Sequence, residues 1–365
     1  MNTFERYFAK QITSPLLSGL VFFFIIILFG QMVQLSDAVT GLGLDPQSLL
    51  NAILFSAAPL LGILLPISAL FATMLGVSKL AADGELLAYQ ATGGQPRKLL
   101  KIPIIFSLLL CSTSSLFLVY GEPWGLKSLQ TLMTENATTT IVEGIHSKKM
   151  IDWIKGITFY AADEDATGLT RVLLVENRSE KASYVVAAEH AEISPSPLDS
   201  SVLFSLSNGQ ILLSDQDDNP RNVIHFEKLD YRLGVKQLVG NRLHTVTHAQ
   251  MMTLNELWEN IQNPETNVNT NALYIVTLNR KFALPVAAVV FSLLAFAIGF
   301  RTSKAPQAQA YINCILIIAG YYYLGRALEL SARRGDFPPW LAAWVPNILG
   351  LLWGWILLWR RGLLR

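Results

Sequence analysis

Six long stretches without a charged side chain constrain this sequence more than any other feature. They lie between Lys10 and Asp37, Asp45 and Lys79, Lys101 and Glu122, Lys281 and Arg301, Lys304 and Arg326, and Asp336 and Arg360. A helix needs about 20 predominantly apolar residues to cross a membrane. The pattern therefore predicts six transmembrane helices. The charged content of 15% agrees with this, because soluble domains average about 25%.

Lysine and arginine are distributed unequally between the two sides of the predicted membrane. Six spans place both chain ends on one side, and the segments there contain Arg6, Lys10, Lys79, Arg97, Lys98, Lys101, Arg301, Lys304, Arg360, Arg361 and Arg365. On the other side, the connection over residues 36–48 contains none, and the connection between spans five and six contains three arginines. Because short cytoplasmic segments are rich in Lys and Arg, both termini are predicted to be cytoplasmic. Residues 122–279 are then exported.

The exported segment differs in character from the rest of the chain. Apolar and polar residues alternate in runs at 152–162, 170–177, 182–193, 202–215 and 222–233. Such alternation, rich in Val, Ile, Phe and Tyr, is typical of strands with one buried face. The pair Asn208-Gly209 is a strong hairpin signal. We expect one antiparallel sandwich or open-roll domain, preceded by a helix near 124–135 and followed by another near 253–262.

The predicted fold class is an α-helical membrane protein with six transmembrane helices and an inserted antiparallel β domain. Residues 1–121 contain spans one to three, residues 122–279 the β domain, and residues 280–365 spans four to six. A β domain inserted between two groups of three spans suggests that events in the membrane are passed to something outside it.

The sequence lacks the common catalytic and nucleotide-binding patterns. No G-x-x-x-x-G-K-[ST] phosphate loop is present, so ATP hydrolysis by that route would belong to a partner chain. The apolar stretches contain no ionisable pair for intramembrane catalysis, and no Gly-x-Ser-x-Gly nucleophile motif occurs. We therefore expect no catalytic residue, no metal site, no cofactor bound by this chain and no nucleic-acid partner.

Between spans two and three the chain reads ADGELLAYQATGG, from Ala82 to Gly94. Asp83 and Gly84 are typical of a helix start, and the glycine pair before Pro96 is typical of a helix end. A short cytoplasmic helix is therefore predicted within residues 80–95. Two interpretations remain open: a solvated loop whose basic neighbours contact anionic lipid, or a docking helix for a cytoplasmic partner.

Charged and aromatic residues mark the exported edges of spans four and five. They are Arg280 and Lys281 in span four, and Tyr321, Tyr322, Tyr323, Arg326 and Glu329 near the end of span five. The charged side chains either anchor the helices at headgroup level or bind phosphates or carboxylates of a lipid headgroup. The three tyrosines are typical of an interfacial aromatic belt.

Three segments carry a family resemblance that covers nearly the whole chain. They read FERYFAKQ near the N-terminus, ILLPISALFATMLGVSKLAADGELLAYQATG from span two into the cytoplasmic helix, and NRKFALPVAAVVFSLLAFAIGF in span four. Together with the arrangement of three spans on each side of the β domain, they resemble the permease family of the lipopolysaccharide-export ABC transporter, the LptF/LptG type. The first 100 residues look slightly more like LptF.

The resemblance implies a function, partners and a location. The chain would be a transporter permease of the bacterial inner membrane, with a jellyroll-like β domain in the periplasm. It would pair with a homologous second permease above a cytoplasmic ATPase dimer that uses ATP and Mg²⁺. Lipopolysaccharide would leave the outer leaflet between the first and fifth spans, enter the β domain and pass to a periplasmic bridge protein. A permease of another ABC-type lipid or lipoprotein exporter is the alternative.

The resemblance also assigns site residues. The cytoplasmic segment with Asp83, Glu85, Ala88, Ala91 and Gly93 resembles the family's coupling helix, which occupies a groove on the ATPase. Glu85 matches the glutamate that meets a basic residue there.

At the outer end of span one the chain departs from the family. Some members carry lysines or arginines there, whereas this chain has Gln31, Gln34 and Asp37. The partner permease would supply the positive charge, or Arg280, Lys281 and Arg326 would do so, or the bound lipid is less anionic. The lipid-path candidates are Gln31, Gln34, Asp37, Arg280, Lys281, Tyr321, Tyr322, Arg326 and Glu329.

Overall fold

The computed structural model describes most of the chain. The described residues are 3–42, 46–144, 150–154, 157–165, 168–179, 182–196, 201–214, 220–234, 248–264, 267–300 and 307–363. The chain folds into two compact units. The first comprises Met1–Met32, Ile53–Lys127 and Thr247–Arg365, and the second Val33–Ala52 and Ser128–Val246.

Ten helices occur in the described residues. Their bounds are α1 Thr3–Leu42, α2 Pro46–Ala82, α3 Glu85–Ala91, α4 Pro96–Leu116, α5 Glu122–Gly144, α6 His248–Met251, α7 Leu254–Gln262, α8 Val268–Gly299, α9 Gln307–Arg334 and α10 Pro339–Arg360. A π-helical turn, Phe117–Gly121, joins α4 to α5. The predicted fold class, a helical membrane protein with an inserted antiparallel sheet, is confirmed.

Five helical segments in the described part of the chain are long and apolar enough to cross a membrane. They are Phe4–Gly30, Pro46–Ala82, Pro96–Asn136, Val268–Gly299 and Pro339–Arg360. The remaining predicted span forms helix α9. It does not fall in this set because two glutamines, an asparagine and four tyrosines lower its apolar character.

In the described part of the second unit, six strands form one antiparallel sheet. The strands are β1 Met150–Ile154, β2 Ile157–Asp165, β3 Gly168–Ser179, β4 Ala182–Ser196, β5 Ser201–Ser214 and β6 Pro220–Gly234. Each strand pairs with its neighbour in sequence, in the order β1-β2-β3-β4-β5-β6. The strand prediction is confirmed in all five runs, of which the first is divided between β1 and β2.

The hairpin prediction at Asn208-Gly209 is wrong. Strand β5 continues through both residues and pairs with β4 and β6 on either side, with Gly209 opposite Ala188 and Phe226. Asn208 has a φ of 54°, in the left-handed region. The turn propensity of this pair is a local preference of less weight than the ladder hydrogen bonds that two neighbouring strands offer.

Gly209 is tightly enclosed by the two neighbouring strands. A Cβ atom there would lie 2.4 Å from the Ala187 carbonyl oxygen and 2.4 Å from Cζ of Phe226. We expect Gly209→Val to destabilise the sheet by roughly 1–3 kcal/mol, as overpacking does in other cores. Limited proteolysis of the segment that forms the sheet should detect the loss. Ser207→Val, two residues away, is the matched control, and equal protection in both variants would contradict the prediction.

The helix predicted near 253–262 is confirmed as α7, and its N-terminus shows why it starts there. Thr253 accepts a hydrogen bond from the Glu256 backbone N–H, and the Glu256 carboxylate accepts one from the Thr253 N–H, which forms a capping box. Lys127 also donates to Glu256 at 2.8 Å. The Lys127 ammonium and the Thr253 N–H lower the pKa of Glu256.

Candidate coupling and lipid-path sites

The predicted cytoplasmic helix forms as α3, and glycines limit it at both ends. Gly84 precedes it with φ 76°, and Gly93 follows it with φ 82°. The Ala88 N–H donates to the Gly84 carbonyl at 3.0 Å, and the Gly94 N–H donates to the Tyr89 carbonyl at 2.9 Å. Because L side chains rarely adopt these φ values, both helix ends depend on glycine. The bounds therefore agree with the helix start and end predicted from the sequence.

One side of α3 is anchored in the core of the helical unit. Leu86 is 2% exposed and belongs to a buried cluster. The other members of this cluster come from five other helices and from residues that lie just after two of them. The other buried members are Phe8, Ile12, Ala72, Val77, Leu80, Ala81, Leu99, Leu100, Ile102, Phe296, Ala297, Phe300, Leu358 and Leu363. We call this set the α3 core. A helix of seven residues has little stability of its own, so this burial is what holds α3 in place.

The first turns of α1 hold α3 from a second direction. Phe4 stacks on Tyr89 with ring centroids 4.6 Å apart and an interplanar angle of 15°. The ring of Tyr89 also covers Gly94, where a Cβ would approach it to 2.4 Å. Lys79, at the end of α2, donates to Gln11 of α1 at 3.2 Å. The N-terminal part of α1 and the α3 segment therefore form one packed structure.

Glu85 has one satisfied and one unsatisfied carboxylate oxygen. The Tyr7 hydroxyl donates to Oε1 at 3.0 Å. Oε2 is buried and has no hydrogen-bond partner among the described residues. A buried carboxylate oxygen without a donor costs about 1–3 kcal/mol or more. A cation from another chain would relieve this cost with a charge-assisted hydrogen bond.

The remaining predicted coupling residues lie on the outer side of α3 and at its ends. Ala88 and Ala91 lie within the helix, and Asp83 and Gly93 lie just outside its two ends. Leu87 lies among them and is 54% exposed. The sequence did not single out Leu87, although its spacing of four residues from Ala91 places both on one helix face. The result is a small, mostly apolar surface next to a carboxylate.

Arg361, which the sequence assigned only to the basic cytoplasmic side, caps the end of α8. Its Nη1 donates to the carbonyls of Ala297, Ile298 and Phe300 at 2.6, 3.2 and 2.9 Å. The carbonyls of Ala297 and Ile298 are among the last of α8, which lack partners within the helix, and Phe300 directly follows the helix. The cap holds the end of α8 beside the α3 core, since Ala297 and Phe300 belong to that core.

Two of the three tyrosines predicted as an aromatic belt direct their hydroxyls into the helical unit. The Tyr321 hydroxyl donates to Asn347 of α10 at 3.1 Å, and Asn347 in turn donates to the Ala283 carbonyl at 2.7 Å. The hydroxyl of Tyr322 is buried and has no partner among the described residues. Tyr323 is 79% exposed. Of the three, Tyr323 alone has the exposure that an interfacial residue needs.

Arg326 and Glu329 form an ion pair, and Arg333 contacts the same glutamate. Arg326 contacts Glu329 at 2.9 Å, and Arg333 contacts the same carboxylate at 2.7 Å. The Arg326 side chain is 60% exposed. This group of two arginines and one glutamate has an excess of positive charge on the helix surface, as a headgroup phosphate would require.

Arg280 and Lys281 are paired within the chain through a buried carboxylate. Both contact Glu122, Arg280 at 3.0 Å and Lys281 at 3.2 Å, and Lys281 is 1% exposed. The Lys281 ammonium therefore does not lie at a surface that a headgroup reaches. Sequence reasoning did not select Glu122, although it is the carboxylate that ends the third apolar stretch while two bases begin the fourth.

Gln31, Gln34 and Asp37 lie in the second half of α1, within Thr3–Leu42. Their side chains are outside the part of the chain whose side chains the structure describes. Their assignment to the lipid path stays a prediction.

Comparison with known protein families gives a match over nearly the whole chain. Residues 6–360 match the model of the family described as lipopolysaccharide export system permease LptF/LptG. The match covers nearly all of the 365 residues and does not distinguish LptF from LptG. A search of curated proteins found no match.

Proposed function

Because this chain belongs to the LptF/LptG family of lipopolysaccharide export permeases, we propose that it is a membrane subunit of an ABC transporter whose ATPase is a separate chain. Members of this family are transporter permeases, not enzymes. In the proposed complex, two cytoplasmic ATPase copies bind ATP and Mg²⁺, and a homologous second permease completes the membrane part. The chain takes lipopolysaccharide from the outer leaflet of the bacterial inner membrane and delivers it to a periplasmic bridge protein.

The observation that best supports the proposal is the construction of α3. Its inner side is fixed by Leu86 and Tyr89, while Leu87, Ala88 and Ala91 form an apolar outer face beside Glu85. An apolar helix face next to an unsatisfied carboxylate suits a groove that carries a basic residue. Docking there would bury the apolar face and supply Oε2 of Glu85 with a donor.

The packing of α3 suggests how the ATPase drives transport. Closure of the ATPase dimer displaces α3, and the α3 core passes this displacement to the spans that contribute residues to it. The lipid cavity between the two permeases then narrows and the lipid moves toward the β domain. Apolar side chains of the sheet, such as Phe159, Val172 and Phe204, belong to a domain able to shelter acyl chains from water.

Co-purification tests the subunit composition. A tagged chain, extracted in detergent, is expected to bring down a soluble ATPase and a second permease of the same family. Reconstituted with lipopolysaccharide, this complex should release the lipid only in the presence of ATP and Mg²⁺. Purification of the folded chain without either partner would refute the proposal.

A photo-crosslinker tests the lipid path. Placed at Tyr323 or at Gln34, it is expected to capture lipopolysaccharide, because Tyr323 is highly exposed near Arg326. The same crosslinker at Tyr322, whose hydroxyl is buried, is the matched control and should capture several-fold less. Capture of bulk phospholipid alone would favour a permease for a different lipid.

A further inference from the structure

The π-helical turn between α4 and α5 has a backbone acceptor that the helix itself does not satisfy. The Glu122 N–H donates to the Phe117 carbonyl, five residues back. In the same i to i−5 register, the Leu118 carbonyl would accept a hydrogen bond from the backbone N–H of residue 123. Residue 123 is a proline, which has no N–H. An unpaired carbonyl inside a membrane costs several kcal/mol, so a partner from elsewhere is required.

Lys281 of α8 supplies that hydrogen bond. Its Nζ donates to the Leu118 carbonyl at 3.1 Å and to Glu122 Oε2 at 3.2 Å. Arg280 holds the other oxygen, Oε1, at 3.0 Å. The side chain of Lys281 is fully covered. Ionisable residues inside membrane-length helices are costly and are usually retained for function.

The same turn contacts α2. The Leu118 side chain lies against Gly62, where an added Cβ would approach Leu118 Cγ to 2.7 Å. Further along α5, a Cβ on Gly125 would lie 2.3 Å from the Phe55 carbonyl oxygen. The backbones therefore meet with no space for a side chain. We call the contacts of Leu118, Glu122 and Gly125 with α2 and α8 the joint.

Helices α2 and α8, which meet at the joint, also reach the α3 core, and so does α4, which runs into the π-helical turn. Helix α2 contributes Val77 and Leu80 to that core, α4 contributes Leu99, and α8 contributes Phe296. Lys281 and Phe296 are separated along α8 by about 22 Å at the helical rise of 1.5 Å per residue. The three helices are thus fastened to one another twice, once beside α3 and once at the joint. A body fastened at both ends moves as a unit.

We propose that the joint makes spans two, three and four one rigid body that carries the displacement of α3 to its far end, and that Lys281 is the positioning residue that holds it. This inference rests on the proposed function, since it requires that α3 be the part that is driven. Its chemistry is specific: the Lys281 ammonium takes the place of the N–H that Pro123 lacks.

Lys281→Met tests the joint, because methionine has a similar volume and Glu122 keeps its pair with Arg280. In the reconstituted complex, we expect ATPase binding and ATP hydrolysis within about twofold of wild type, while ATP-driven lipopolysaccharide release falls by roughly tenfold or more, the factor that corresponds to about one lost hydrogen bond to a charged group. Lys127→Met is the matched control, because Lys127 pairs with Glu256 at an exposed site. It should leave both activities unchanged.

Pro123→Ala provides the decisive second variant. Alanine has the N–H that the Leu118 carbonyl lacks in the π register, so Pro123→Ala combined with Lys281→Met should restore lipid release to within about threefold of Pro123→Ala alone. If Lys281→Met fails to fold, the double variant should restore folding as well as release. Normal release by Lys281→Met, or no recovery in the double variant, would overturn the proposal.

The two proposals fail in different ways. Failure of the joint leaves a complex that assembles with its ATPase and exports lipid in the Lys281→Met variant. Failure of the proposed function appears already in the wild-type chain, which would then not associate with an ATPase.

Discussion

Glu85→Lys is expected to abolish ATPase binding and lipid export while the chain remains folded and inserted in the membrane. The substitution replaces the carboxylate beside Tyr7 with a cation, which repels the basic residue that we propose in the ATPase groove. Removing one partner of a buried interfacial charge pair costs about 2–5 kcal/mol, which corresponds to a loss of affinity of roughly 30-fold or more. Co-purification of the ATPase with the tagged chain measures it.

Two variants separate the charge of Glu85 from its local contact. Tyr7→Phe removes the hydrogen bond to Oε1 but leaves the carboxylate, and we expect it to weaken association much less. Glu192→Lys, a charge reversal at an exposed residue of strand β4, is the matched control and should bind the ATPase normally. If Glu85→Lys retains the ATPase and supports growth, the coupling role of α3 is wrong.

Glu122→Ala is expected to lower the free energy of unfolding by about 3–5 kcal/mol, the cost of leaving a buried charge without its partner. The variant leaves Arg280 and Lys281 adjacent, with the side chain of Lys281 completely covered and its carboxylate partner gone. Unfolding of the detergent-solubilised chain by a denaturing detergent measures the effect.

A surface ion pair in the same unit provides the comparison. Lys127→Ala removes the ion pair with Glu256 but leaves the capping box of α7 intact. The two side chains are about equally exposed, and such pairs are worth about 0–1 kcal/mol. We expect Glu122→Gln to fall between the two alanine variants, because the amide oxygen still accepts one hydrogen bond. Equal stability of Glu122→Ala and Lys127→Ala would contradict the buried network.

The elements that follow from local patterns were predicted correctly. Charge-free length identified the long apolar helices, and alternation identified the strands. The glycines at 84 and 93 marked the ends of α3, since few residues other than glycine adopt φ values near 80°. The exception was the hairpin predicted at Asn208-Gly209, where pairing with two neighbouring strands outweighs the local preference for a turn.

The lipid-path candidates were predicted less well, because their positions depend on helix rotation. A run of three tyrosines covers three directions around a helix, and composition does not say which one points outward. The structure directs the hydroxyl of Tyr321 to Asn347 and exposes Tyr323. Arg280 and Lys281 resemble interfacial anchors in the sequence only because their partner, Glu122, is about 160 positions away.

By itself, the sequence determined the membrane-spanning class, the inserted antiparallel strands and the position of a short helix between spans two and three. These depend on hydropathy, periodicity and glycine conformation, which act over a few neighbouring residues. Only the tertiary structure decided that Leu86 anchors α3, that Oε2 of Glu85 lacks a donor among the described residues, and that Lys281 completes the turn before Pro123. Each of these depends on packing between helices distant in sequence, and the energy of a buried charge or carbonyl depends on what that packing brings beside it.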